Sequence, residues 1–310
     1  MASIFTQPAR LVPAGPGPAH PGTAAGRSRP GTHPPGTHES RYRRPMPPDP
    51  RAVLTRPAPE PEVTVAYGEH PDQIADLRRP AGEGPPQPLL IVLHGGFWRV
   101  EYDRRHTGPL AAALAALGHP VAQLEYRRTG QPGGGWPGTL TDVLAGVSAL
   151  PGLAAAALPG QVAPAPPILI GHSAGGHLAL YAAARAPDAV GAVLALAPVA
   201  DLAEAYRLDL DAGAVAALLG GGPADVPERY AEADPRALIP STIRTVVMHG
   251  TLDQQVPIAL SRAYVATAQQ AGADMHLVEL PECEHFGLID PTSTVWPKIT
   301  SALRSLNEDQ

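Results

Sequence analysis

Several residues of this chain are of types, and at spacings, that acyl-transfer chemistry could use. Gly171-His172-Ser173-Ala174-Gly175-Gly176 follows the apolar run Ile168-Leu169-Ile170 and opens an Ala-rich segment. A serine on a sharp strand-to-helix turn is held in a strained backbone with its hydroxyl directed away from the sheet. Small residues two before and two after it leave room for that turn. The bland alternative is a helix-capping serine. A strand before the motif and a helix after it favour Ser173 as a nucleophile.

His94-Gly95-Gly96-Phe97-Trp98 follows the apolar run Leu89-Leu90-Ile91-Val92-Leu93. Attack on a carbonyl builds negative charge on its oxygen, and backbone N–H groups aimed at that oxygen stabilise it. Glycines after a strand let the chain turn closely enough to aim them. The oxyanion hole is therefore assigned to the amides of Gly96, Phe97 and Ala174, with the two or three that face the oxygen left open. His94, at the strand end, suits a structural hydrogen bond better than the role of base.

The base is sought downstream. His177 lies one turn into the nucleophile's own helix, His249 at the end of a strand and His276 inside one. His285 lies in the loop Pro281-Glu282-Cys283-Glu284-His285-Phe286-Gly287, after the last strand candidate, where a ring can swing over the site. His285 is the expected base. Asp253, in the preceding loop, is the first choice for the acid that orients it, giving the chain order Ser, Asp, His. Asp201, Glu282 and Glu284 are rivals, and Asp290 reads as a surface or helix-start residue. Cys283 is the only cysteine, so it completes neither a disulfide nor a cysteine-rich metal site, and a semi-buried thiol without a role is expected.

These side chains need a frame, and the chain offers one. Val63-Thr64-Val65-Ala66-Tyr67 alternates as a strand, with Gln73 to Leu77 as its partner. Strands are then expected at 89–93, 121–126, 167–171, 190–196, 245–248 and 275–280, and helices at 110–117, 139–150, 174–186, 258–271 and 292–306. This alternation implies an α/β fold with a mostly parallel central sheet and helices on both faces. Residues 201–240 interrupt the rhythm with short helical pieces and are expected to form a short helical cap on the 61–310 domain. Residues 1–60, rich in Pro, Gly and Arg, show no apolar period and are expected to be a disordered tail.

The chain has 310 residues, 44% of them apolar, and a formal charge of −6, which gives no electrostatic reason to expect nucleic acid. No run approaches the roughly 18–20 continuous apolar residues of a membrane-spanning helix, so no membrane partner is expected. The first residues lack a basic stretch followed by an apolar core, and a cytoplasmic location is expected. Lys298 is the only lysine among plentiful arginines, a bias attributed to coding composition.

Taken together, His94-Gly95-Gly96-Phe97-Trp98 and Gly171-His172-Ser173-Ala174-Gly175-Gly176-His177-Leu178 resemble the α/β-hydrolase superfamily. More narrowly, they resemble its esterase/lipase branch, including arylformamidases (kynurenine formamidases) and small bacterial carboxylesterases. Tyr126-Arg127-Arg128-Thr129-Gly130, Trp136-Pro137-Gly138 and Ala197-Pro198-Val199-Ala200-Asp201-Leu202 look like the same group. The resemblance spans roughly residues 62–308. It implies an α/β-hydrolase fold and a serine hydrolase that needs no metal or organic cofactor, acting on a small-molecule ester or amide. Phe97 stands where lipases often have a third glycine and should narrow the acyl side. Trp98, Tyr102 and Trp136 are expected walls of a pocket for formyl or acetyl groups. Hydrolysis of short-acyl esters is the leading expectation and an arylformamidase the alternative. A serine exopeptidase and a non-catalytic binding protein rank below both.

Overall fold

A computed structural model describes residues 49–239 and 241–308. Eight strands form one sheet in the order β1-β2-β4-β3-β5-β6-β7-β8. The strands are β1 (Val63–Ala66), β2 (Ile74–Arg78), β3 (Leu90–Leu93), β4 (Val121–Leu124), β5 (Ile168–His172), β6 (Ala192–Leu196), β7 (Thr245–Gly250) and β8 (Met275–Leu280). β1 and β2 pair antiparallel, as do β2 and β4, and every later pairing is parallel.

The parallel strands are apolar at nearly every position because helices cover both faces. Side chains alternate between two cores. Leu90 and Val92 of β3, with Ile168 and Ile170 of β5, pack on α1 (Gly108–Ala116) and α8 (Trp296–Glu308). Ile91 and Leu93, with Leu169, pack on α2 (Gly138–Ala157), α3 (Ala174–Arg185) and α7 (Ile258–Gln270). Each leucine or isoleucine so enclosed contributes about 1.5–3 kcal/mol from removal of apolar surface.

Topology places the site. From β3 the chain crosses to β4 on one side, and from β4 it crosses back over β3 to β5, after which the order runs outward. The carboxyl ends of β3 and β5 therefore flank the point where strand order reverses, and in open α/β sheets ligands bind at such a crevice.

Three expectations change. α2 runs from Gly138 to Ala157, past Pro151-Gly152, where the sequence reading stopped at residue 150. The alanines at 154–157 are strong helix formers, and buried Ala154 and Leu158 hold that end against the core. At 20 residues, α2 is also long and apolar enough, by length and composition alone, to cross a membrane. Here its Leu140, Val143, Val147, Leu150 and Ala154 are buried in the core shared with the sheet. Finally, the tail boundary at residue 60 is too late. Residues 1–48 lie outside the described residues, but Pro50–Thr55 is a 3-10 helix whose Val53 is fully buried.

The stretch 201–240, read as interrupting the alternation, holds α4 (Leu202–Arg207), α5 (Ala214–Leu219) and α6 (Pro227–Ala233), then a 3-10 turn at Pro235–Leu238. Leu202, Val215, Leu218 and Tyr230 join it to the core on the α3 side.

Candidate active site

Ser173 sits between β5 and α3 with φ 57° and ψ −118°, outside the regions an L residue prefers. Its side chain makes no capping hydrogen bond to α3, which removes the reading of Ser173 as a helix cap. The turn is over-determined by its neighbours. Ser173 N–H donates to the Leu196 carbonyl at 2.8 Å, and the Ser173 carbonyl accepts from His177 and Val199. A methyl group at Gly171 would collide with the Gly175 carbonyl, and one at Gly175 with the Leu93 carbonyl. Both positions therefore require glycine, and their closeness draws the end of β3 against the elbow.

The loop after β3 is bent as sharply. Gly96, Phe97 and Trp98 have φ of 101°, 48° and 58°. For the two L residues this left-handed backbone costs roughly 1–2 kcal/mol each. Tertiary contacts hold it. Trp98 Nε1 donates to His177 Nδ1 at 3.1 Å, and Tyr126 Oη donates to the His94 carbonyl at 2.9 Å. His94 Nε2 meets Glu125 Oε1 at 2.8 Å while its ring stacks on Tyr126, so it is the loop-shaping group anticipated for it. Burial alone would raise the Glu125 carboxyl, but His94 and Arg128 outweigh it and bring it down to about 2. Among the described residues, neither the Gly96 nor the Phe97 N–H has an acceptor, and Ala174, as the first residue of α3, offers a third helix-terminal N–H.

His285 and Asp253 meet across two loops. His285 Nδ1 donates to Asp253 Oδ2 at 2.6 Å, and the Asp253 side chain is fully enclosed. Asp253 Oδ1 accepts from Gln255 and Val256 N–H at 2.8 and 2.9 Å. Burial would raise this carboxyl, but hydrogen bonds from His249 and His285 overcome it and keep it ionised well below the usual carboxylate range. With Nδ1 engaged, the other ring nitrogen of His285 is left for the serine side.

Ser173 and His285 line one cavity of about 190 Å³, together with Gly96, Phe97, Tyr102, His106, His172 and Phe286. The structure thus brings together Ser173, His285, Asp253, Gly96, Phe97 and Tyr102, with Ala174 next to the serine. Two expected pocket walls are corrected. Trp98 is fully buried, its indole spent on His177, and Trp136 packs against the core beside α5; neither lines this cavity. The positive φ that turns Phe97 toward the site sends the next side chain into the interior.

Two of the three rival acids, Asp201 and Glu284, have other work, and the third, Glu282, is exposed. Asp201 caps α4 by accepting from Glu204 N–H, and Glu284 accepts from Phe286 and Gly287 N–H, closing the turn after His285. Asp290 pairs with Arg56, its Oδ2 lying 2.9 Å from Nη2. The Cys283 thiol is buried and pushed up to about 12 by burial and by Glu284, in keeping with an inert role.

Sequence reasoning missed four contributors. His249 Nε2 lies 3.3 Å from Asp253 Oδ2, with Nδ1 on Ser261 Oγ at 2.7 Å. His172 Nε2 donates to the His285 carbonyl at 3.1 Å, steadying the base's main chain. Arg51 and Leu54 also line the cavity. His172 was visible as the serine's neighbour, but no spacing rule predicts a partner more than a hundred residues away.

A mostly parallel sheet with a strained serine after β5, a Gly-Gly loop after β3 and a His–Asp pair beyond β8 and β7 defines an α/β-hydrolase. Residues 75–267 match the model of the BD-FAE family, and the chain belongs to that family of α/β-hydrolase esterases. It is 26% identical over 241 residues to a probable isoprenylcysteine alpha-carbonyl methylesterase of Oryza sativa subsp. japonica, covering 69% of this chain and 55% of the relative. It is 30% identical over 227 residues to the esterase LipQ of Mycobacterium tuberculosis, covering 67% of this chain and 52% of the relative. The chain thus spans about half the length of these curated relatives. Among solved structures, esterase B from Lactobacillus rhamnosis has the same fold, with a TM-score of 0.68 at 20% identity over 84% of this chain and 90% of that one. All three similarities are to esterases; they do not bear on the arylformamidase half of the expected resemblance.

Proposed function

We propose that this protein is a serine esterase that hydrolyses short-acyl carboxylic esters through Ser173, His285 and Asp253. The observation that carries the reading is the 2.6 Å His285–Asp253 hydrogen bond, made by an imidazole that shares a small cavity with the strained Ser173. In the first half-reaction His285 takes the Ser173 proton as Oγ attacks the carbonyl carbon. The amides of Gly96, Phe97 and Ala174 receive the developing oxyanion, and the imidazolium, held by Asp253, then protonates the leaving alcohol. In the second half, His285 takes a proton from water as it attacks the acyl-Ser173 ester, the oxyanion returns to the same amides, and its collapse releases the carboxylic acid while His285 returns the proton to Ser173 Oγ.

The restriction to short acyl groups rests on size. A cavity of about 190 Å³ is smaller than the roughly 300–1,000 Å³ of sites for drug-sized ligands, and Phe97 occupies part of its wall. Esterase B of Lactobacillus rhamnosis, which shares the fold, has been solved with a C4-C4 tributyrin phosphonate.

The test is a series of p-nitrophenyl acetate, butyrate and octanoate, with kcat/KM expected to fall along it, beside labelling by a fluorophosphonate that Ser173→Ala abolishes. Fastest turnover of octanoate would overturn the size argument, and labelling retained in Ser173→Ala would overturn the nucleophile. N-formylkynurenine cleaved faster than the acetate would replace esterase with the formamidase reading.

A further inference from the structure

The cavity that holds Ser173 and His285 has a wall the acyl-transfer machinery does not use. Arg51 and Leu54, from the 3-10 helix Pro50–Thr55, line it beside Phe286. This helix is firmly seated. Asp49 accepts from Arg51 N–H at 2.9 Å, Val53 is fully buried, and Arg56 is paired with Asp290. The Arg51 guanidinium lies 5.6 Å from the centre of the Phe286 ring, a cation–π contact that holds it at the cavity mouth.

That charge is uncommitted. Among the described residues the Arg51 guanidinium has no carboxylate partner, whereas the acid that lines the same cavity, Asp211, is bound by Arg99 at 2.6 Å. Arginine remains ionised at any working pH, and its fork of N–H donors matches a carboxylate. Its side of the cavity is also defined. A base that protonates the leaving oxygen puts the departing alcohol on its own side, and Phe286, under Arg51, directly follows His285.

We propose that Arg51 is a specificity-determining residue that selects esters whose alcohol portion carries a carboxylate. The inference rests on the esterase reading above and adds the charge of the leaving group to it. A single guanidinium with Asp211 on the same cavity suits a monoanion better than a phosphate dianion, which the nearby acid would repel.

The experiment compares phenyl acetate, 4-acetoxybenzoate and 4-acetoxy-N,N,N-trimethylanilinium on the full chain and on Arg51→Ala and Arg51→Glu. The quantity read is each charged substrate's kcat/KM relative to phenyl acetate, so that leaving-group reactivity cancels between variants. Arg51→Ala is expected to lower the 4-acetoxybenzoate ratio about fivefold, the size of a partly exposed ion pair, and Arg51→Glu to raise the trimethylanilinium ratio. Ratios unchanged in both variants would overturn the proposal. Calorimetry of 4-hydroxybenzoate against 4-hydroxybenzamide needs no turnover. Tighter binding of the anion, lost in Arg51→Ala, supports the proposal, and equal binding by the native chain overturns it. Failure of the native chain to hydrolyse phenyl acetate would strike the esterase reading alone.

Discussion

Asp253 illustrates how much one side chain can be asked to do. Its carboxylate accepts from two backbone amides and from His285, and His249 stands 3.3 Å from the same oxygen that meets His285. In the proposed mechanism it holds the imidazole in the tautomer with Nδ1–H and stabilises the imidazolium. Asp253→Asn keeps the shape but can present an N–H to that ring nitrogen, favouring the wrong tautomer. On the esterase reading kcat for p-nitrophenyl acetate should fall by about four orders of magnitude with little change in KM. A fall of tenfold or less would assign the acid role elsewhere. The residue types were legible in the chain at this scale. Ser173, Asp253 and His285 stand out because a nucleophile, an acid and a base follow the ends of three strands, β5, β7 and β8, in chain order. His249 and His172 were not, since both act through contacts that only folding creates.

The turn after β3 is an element-scale device, and Phe97 is its adjustable part. The residue holds φ 48° and lines the cavity, so it sets both the aim of its own amide and the room beside Ser173. Phe97→Gly relieves the backbone strain and opens the acyl side. The octanoate-to-acetate ratio of kcat/KM is expected to rise about tenfold, the worth of a modest apolar gain in a binding pocket. An unchanged ratio would show that the acyl chain runs elsewhere. The neighbouring Trp98 marks the limit of pattern reading. An aromatic residue after Gly-Gly looks like a pocket wall, yet consecutive positive φ values turn it into the core, where its N–H finds His177. Strand positions were readable because alternation and buried apolar runs are local signals. The extension of α2 beyond Pro151 was not, because the packing of Ala154 and Leu158 outweighs a local break signal.

For the molecule as a whole, the burial of titratable groups sets the response to acid. His177 is lowered to about 4 and His106 to about 3 chiefly by burial, and His172 is lowered in the same direction. An unfolded chain binds protons at these histidines near the ordinary histidine value of 6.5, so the unfolded state gains as pH falls from there toward the folded values. Glu125 acts in a lower window. Its folded value is depressed to about 2 from 4.5, so its contribution is fully present above 4.5 and is lost as pH falls toward 2. Urea midpoints should therefore decline steadily from pH 7 to pH 3, and Glu125→Gln should flatten the part of that decline below pH 4.5. A midpoint that holds constant or rises on acidification would contradict the buried, neutral state of these histidines. The 3-10 helix Pro50–Thr55 belongs to this scale too, since a segment with no local period becomes ordered through Val53 in the core and Arg56 on Asp290.

By itself the amino-acid sequence determined the α/β alternation, the two turns that follow β3 and β5, and the types of the three side chains assigned to chemistry. All of these are written in short-range patterns of apolar residues, glycines and chain order. Tertiary structure alone decided which strand ends flank the crevice, which aromatic rings reach it, and that a segment just past residue 48 forms part of its wall. Those outcomes depend on strand order and on contacts between residues far apart in the chain, where no local periodicity carries the information.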